Sequence, residues 1–201
     1  MMKKFFAWLL ILTFVVSISV FAADSAPSEE SELEAEIRLR KSDVVFLQID
    51  NYATVSNGTL KWIDPANKSV KPYIKDGRTM VPLRFLTEEM GATVGYNAET
   101  AGITVALGET VMELTVGSTA YSVNGEAFEM DCAAEIFEDR TFVPVRFVSE
   151  SLGKAVEWLD VERIVVITPP DSLWDQTNSL EKAALSEVRL SLSPLGRDKI
   201  K

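Results

Sequence analysis

Arg78-Thr79-Met80-Val81-Pro82-Leu83-Arg84-Phe85-Leu86-Thr87-Glu88-Glu89-Met90-Gly91 and Arg140-Thr141-Phe142-Val143-Pro144-Val145-Arg146-Phe147-Val148-Ser149-Glu150-Ser151-Leu152-Gly153 are two versions of one segment. They lie at a constant offset of 62 residues, and most of their differences are exchanges of one apolar side chain for another. Self-similarity of this kind announces the architecture before any local rule is applied. Downstream, Val94-x-Tyr96 matches Val156-x-Trp158, and the β-branched run at 103–105 matches that at 164–167. Upstream, Leu47-x-Ile49 and Asn57-Gly58 match Leu114-x-Val116 and Asn124-Gly125 at an offset of 67. The five-residue difference falls in the first half, where residues 61–72 make a longer connection. The expectation is two tandem copies, residues 44–107 and 108–168.

Each copy reads the same way. Alternating runs at 45–49 and 112–116, then 53–55 and 120–123, predict short strands. The Asn-Gly that follows is the strongest short hairpin signal, because both residues accept the positive φ of a tight type I′ turn. Pro82 and Pro144 suit the first turn of a helix, where a missing N–H is harmless, and Gly91 and Gly153 suit the left-handed position past its end. Between them, Leu83, Leu86 and Met90 recur at i, i+3 and i+7, as do Val145, Val148 and Leu152, giving each helix one apolar face. Two strands follow, at 93–96 with 103–107 and at 155–158 with 164–168. The predicted class is α+β: two units, each an antiparallel sheet wrapped around one short helix, which is too short to stand without packing.

The ends differ from this middle. Lys3-Lys4, an uncharged apolar run over 5–21 and small residues at Ala22 and Ala23 read as a secretory signal, residues 1–22. If it stayed uncleaved it would contact the membrane as an anchor, since its length approaches the roughly 20 residues a span requires. Residues 23–43 read as a solvated acidic linker that turns helical over 32–40. After Pro169-Pro170, residues 169–201 form a tail with apolar positions at Leu180, Ala184, Val188 and Leu192, a helical spacing that Pro194-Leu195-Gly196 stops.

Charge and side-chain inventory then exclude functions. The chain carries 20 basic against 30 acidic residues; removing Lys3 and Lys4 leaves 18 against 30, a net charge of −12. Such a surface has no footprint for nucleic acid or anionic lipid. There is no histidine, so Ser-His-Asp and Cys-His nucleophile arrangements and the commonest zinc or copper ligand are missing. The lone Cys132 makes no intramolecular disulfide and reads as a small buried hydrophobe. No phosphate-binding glycine loop occurs. No catalytic residue, metal ligand or cofactor is therefore assigned. The remaining catalytic option is carboxylate chemistry at Glu88 or Glu150, but equivalent positions do not supply the two unlike environments an acid–base pair needs. Arg84 with Glu88 and Arg146 with Glu150 read as intrahelical i, i+4 pairs. Arg78 and Arg140 read as structural, capping carbonyls or pairing with acids of their own copy. Tyr96 and Trp158 read as core or seam residues. Trp62 and Trp174, which have no counterparts, and Tyr121 are the candidate recognition residues.

The repeated Asn-Gly, Arg-Thr-x-Val-Pro-x-Arg-Phe, Glu-x-x-Gly, Val-x-Tyr/Trp and β-branched strand resemble the copper amine oxidase N-terminal-like domain, or stalk domain, over residues 44–168. The resemblance implies an antiparallel sheet wrapped around a helix, an appendage that carries neither copper nor the topaquinone of the oxidases. It also implies a place on exported, wall-associated proteins of Gram-positive type. The first copy departs locally, with Gly95 and Asn97 where Glu and Asp are more usual, while Glu157 keeps the family residue. The functional expectation is an exported, non-catalytic interaction or spacer module at the cell envelope, secreted or surface-held. Its partner is an envelope protein or, alternatively, a wall glycan stacked on Trp62, Tyr121 or Trp174.

Overall fold

The computed structural model describes residues 29–200. The signal segment expected over residues 1–22 lies outside them. Residues 29–35 are helical, and residues 36 onward form a compact unit that carries every sheet.

The first half contributes β1 (Val45–Gln48), β2 (Ala53–Ser56), β3 (Thr59–Trp62), β4 (Tyr73–Lys75), β5 (Arg78–Pro82), α2 (Leu83–Glu89), β6 (Thr93–Asn97) and β7 (Gly102–Leu107). The second contributes the same series: β8 (Thr110–Thr115), β9 (Ala120–Val123), β10 (Glu126–Glu129), β11 (Glu135–Phe137), β12 (Arg140–Pro144), α3 (Val145–Ser151), β13 (Ala155–Leu159) and β14 (Ile164–Thr168). Helix α1 (Glu29–Arg40) precedes them, and α4 (Ser179–Leu192) and α5 (Pro194–Arg197) follow. The Asn-Gly turns form as read: Asn57 and Gly58 have φ of 51° and 71°, and Asn124 and Gly125 have 51° and 82°. The three-residue strands β4 and β11 have no signal in the hydrophobic pattern.

The class is mixed α and antiparallel β, but no sheet belongs to one half. Among the described residues the strand orders are β13-β14-β1-β2-β3, β10-β9-β8-β7-β6 and β11-β12-β5-β4. The last two strands of each half therefore join the first three of the other. The Arg-Thr-x-Val-Pro strands meet in the central sheet, where Val81 pairs with Val143 and is flanked by Met80↔Pro144 and Pro82↔Phe142. Exchanging each residue for its equivalent turns the pair Met80–Pro144 into Phe142–Pro82 and leaves Val81–Val143 unchanged, so the two halves are related by a local two-fold axis passing between Val81 and Val143. The outer sheets repeat this register: Phe46↔Val166 and Phe46↔Val55 in one answer to Glu113↔Thr104 and Glu113↔Ser122 in the other. The expectation of one sheet wrapped round one helix per half thus gives way to shared sheets. A strand edge is a row of unpaired N–H and C=O groups, and exchanging the terminal strands covers edges that each half alone would expose.

The main core lies where the three sheets and two helices converge. Leu83, Leu86, Val145, Val148 and Leu152 are buried in it as the helical spacing requires, each worth about 1.5–3 kcal/mol of transfer free energy. Pro82 and Pro144 sit one residue earlier than expected, as helix N-caps with extended ψ of 118° and 120°. They end the strand rather than open the helix, consistent with the single free N–H each lacks at the strand terminus. Gly91 and Gly153, at φ of 75° and 71°, take the left-handed positions past α2 and α3.

A second core explains the tail. The outer face of the β13-β14-β1-β2-β3 sheet carries Phe46, Leu159, Ile164 and Val166, and α4 covers it with Ala184, Leu185, Val188 and Leu192. On the equivalent face of the other five-stranded sheet these positions are Glu113, Asn97, Gly102 and Thr104, a polar surface that needs no cover. The α4 helix starts on Asn178, whose side chain accepts from the N–H groups of Leu180 and Glu181, and stops before Ser193. The end of the expected linker joins this core too: Ile37 of α1 is buried, Arg40 pairs with the buried Glu181, and Lys41 pairs with Glu187. No helix among the described residues is long and apolar enough to cross a membrane.

Candidate functional site

The strand exchange creates two clefts, each built by both halves. In the first, of about 490 Å³, the β4–β5 hairpin supplies Ile74 and Arg78, and the second half supplies Pro144, Arg146, Val156 and Trp158. In the other, of about 350 Å³, the β11–β12 hairpin supplies Ile136 and Arg140, and the first half supplies Pro82, Arg84, Val94 and Tyr96. Every one of these pairs is separated by 62 residues, so the clefts are the same site formed twice.

Tyr96 and Trp158, expected in the core or a seam, are instead 51% and 37% exposed. They lie on edge strands, Tyr96 opposite Ile103 and Trp158 opposite Val165, with no further strand beside them among the described residues. Trp158 donates its Nε1–H to Asp160 Oδ1 at 3.1 Å, which fixes the ring. Ile74 and Ile136 are 45% and 55% exposed, unusual for isoleucine on a three-residue edge strand. Arg84 and Arg146 lie in the first turn of α2 and α3 with their side chains out. Of the two expected intrahelical pairs, Arg146–Glu150 is present at 3.8 Å between exposed groups; Arg84–Glu88 is not among the ion pairs of the described residues. Neither Glu88 nor Glu150 lines a cleft, so the carboxylate option finds no enclosed acid there.

Arg78 and Arg140 pair with acids of the opposite half, not their own. Arg140 Nε donates to Asp64 Oδ2 at 2.6 Å, and Arg78 Nε donates to Asp131 Oδ2 at 2.8 Å. Asp64 and Asp131 are themselves equivalent at the offset of 67. For Asp64, desolvation pushes the carboxyl up, but N–H groups of Ala66 and Asn67 and the Arg140 guanidinium outweigh it and hold the group below the usual carboxylate range. Across the axis, Glu135 accepts from Lys75 and Tyr73, which hold its carboxyl down. Burial, then the Glu135 hydrogen bond, pushes the Tyr73 phenol up.

The residues chosen for recognition are scattered. Trp174 is buried, with its ring edge-on to Phe46 at 5.0 Å in the second core, so it offers no stacking surface. Its indole gave no periodic signal because it lies in an irregular connection. Trp62 is half-buried, stacked on Tyr52 at 5.1 Å with the Lys68 ammonium 4.2 Å from its ring centre. Tyr121 is half-buried on the inner face of the other five-stranded sheet, stacked on Phe128 at 5.5 Å. Cys132 is buried against Met80, and burial pushes its thiol up.

The family model of the copper amine oxidase N-terminal domain matches residues 62–167, just over half of the 201-residue chain. The match runs from β3 into β14 and takes in both clefts. That family suggests a non-catalytic module. No curated protein matches the chain.

Proposed function

Because the chain belongs to the copper amine oxidase N-terminal domain family, we propose that it is a non-catalytic interaction module, exported and held at the cell envelope, that binds protein. The observation that carries this reading is the pair of equivalent clefts, each with an exposed ring, an exposed isoleucine and an exposed arginine. Exposed aromatic and arginine side chains set in a cleft are the residue types that dominate protein-binding energy. Supporting it are the absence of histidine from the sequence and the basic-then-apolar residues 3–21, which read as an export signal. The matched registers of the two halves support their origin as two copies of one unit.

The test places a photo-crosslinking side chain at Trp158 or Tyr96, with exposed Leu195 as control, in intact cells. A discrete protein adduct from the cleft positions alone, on chain accessible to external protease, is the expected result. Adducts equal at all three positions, or chain shielded from protease until lysis, would overturn it.

A further inference from the structure

Both clefts offer the same chemistry, and it is selective. Each places an exposed isoleucine opposite an exposed aromatic ring, with an arginine of a helix first turn beside them: Ile74, Trp158 and Arg146, or Ile136, Tyr96 and Arg84. The deeper arginines, Arg78 and Arg140, are already paired with Asp131 and Asp64, so Arg146 and Arg84 are the cations left for a ligand. Arg146 is 61% exposed and only 3.8 Å from an equally exposed glutamate, a contact water and salt weaken. The other charged groups of the linings are Glu157, which accepts from the Trp174 N–H, in the first cleft and Asp139 in the second; in a chain of net charge −10, Arg146 and Arg84 are the groups there that offer an anion a partner.

The walls favour an extended backbone: β13 and β4 border the first cleft and β6 and β11 the second, and all four are edge strands of their sheets. Edge strands carry unpaired N–H and C=O groups that a peptide can complete, with side-chain pockets setting specificity.

We propose that each cleft binds a short extended segment of a partner protein in which an acidic residue stands two positions from an apolar one, so that both side chains face the cleft. The carboxylate pairs with Arg146 or Arg84, and the apolar side chain lies between Trp158 and Ile74 or between Tyr96 and Ile136. The two sites act together on a partner that presents two such segments, which raises avidity without new contacts. This rests on the protein-binding reading above and names the ligand of the same clefts.

The experiment titrates the full chain with a short acetylated peptide in which Glu and Val alternate at every second position with Ser between them, following tryptophan fluorescence and heat. Two equivalents bind; Arg146→Glu and Arg84→Glu each remove one, weakening it about ten-fold or more while circular dichroism is unchanged. Arg146→Lys restores part of the loss, and a Lys-Val peptide binds at least about ten-fold more weakly. Peptide binding indifferent to both reversals would overturn the assignment of these clefts. Binding of N-acetylmuramic acid or chitin oligosaccharide without peptide binding would overturn the ligand class. If the peptide fails while cleft crosslinks to protein persist in cells, the acidic-peptide proposal falls and the protein-binding reading stands.

Discussion

Arg140 Nε donates to Asp64 Oδ2 across 2.6 Å, and so ties the motif strand of one half to the long connection of the other. Arg78 and Asp131 repeat the tie in the opposite direction. The most recognisable residues of the chain are thus fasteners between halves, and the clefts take their shape from that fastening. The Asp64 side chain is 13% exposed and that of Arg140 37%, so the bond is partly shielded. Asp64→Asn is expected to lower unfolding free energy by about 1.5–3 kcal/mol, the range for a hydrogen bond to a charged group. Urea unfolding at neutral pH measures it; no change would mean the pair is only a surface contact.

Acid lability follows from the same group. A carboxyl held below its unfolded value of about 4 stabilises the fold above that pH, and the contribution is lost as pH falls through the lower folded value. Asp64 and Glu135 are both held down. Stability is therefore expected to drop on acidification below about pH 4, and Asp64→Asn with Glu135→Gln to flatten that drop. An undiminished slope in the double variant would contradict it.

The phenol of Tyr73 is the alkaline counterpart. Burial and the Glu135 hydrogen bond favour its neutral form, so its stabilising contribution is fully present below the ordinary phenol value of about 10 and is lost as pH rises from there through the raised folded value. The ultraviolet difference titration between the protein and Tyr73→Phe should show ionisation well above that ordinary value. Glu135→Gln should shift it downward.

Most strands, apart from β4 and β11, and the helices α2 and α3 were legible because their signals are local: alternation, Asn-Gly, Pro and Gly act over a few residues. Strand exchange is non-local, and a half that closes on itself has the same pattern as one that trades its last two strands. Phe46, Leu159, Ile164 and Val166 carried a readable hint, since their equivalents Glu113, Asn97, Gly102 and Thr104 are polar or lack a side chain; an apolar residue on both faces of a strand asks for a second cover. The fasteners were legible too, as Asp64 and Asp131 keep the Asn-Gly offset. The recognition residues were not. Trp174 stands apart in the sequence by having no counterpart yet is buried, whereas the exposed rings, Trp158 and Tyr96, are equivalents whose exposure depends on the cleft between halves.

The tail tests the second core. Glu181 is fully buried, ion-paired with Arg40 and accepting from the N–H of Asp175. Removing one partner of a buried pair costs about 3–5 kcal/mol, less where the other partner reaches water as Arg40 does. Glu181→Ala is expected to free α4 first, seen as faster amide exchange over residues 179–192 than over the central sheet. Uniform acceleration would mean the tail is not a separable layer.

The central claim is that the halves fold only by sharing strands. The direct measurement takes residues 29–107 and 108–200 as separate chains and follows circular dichroism and amide dispersion alone and mixed. Each is expected to be unfolded alone, with its outer strands unpaired, and mixing to restore all three sheets. Two fragments each folding independently, with no change on mixing, would contradict it.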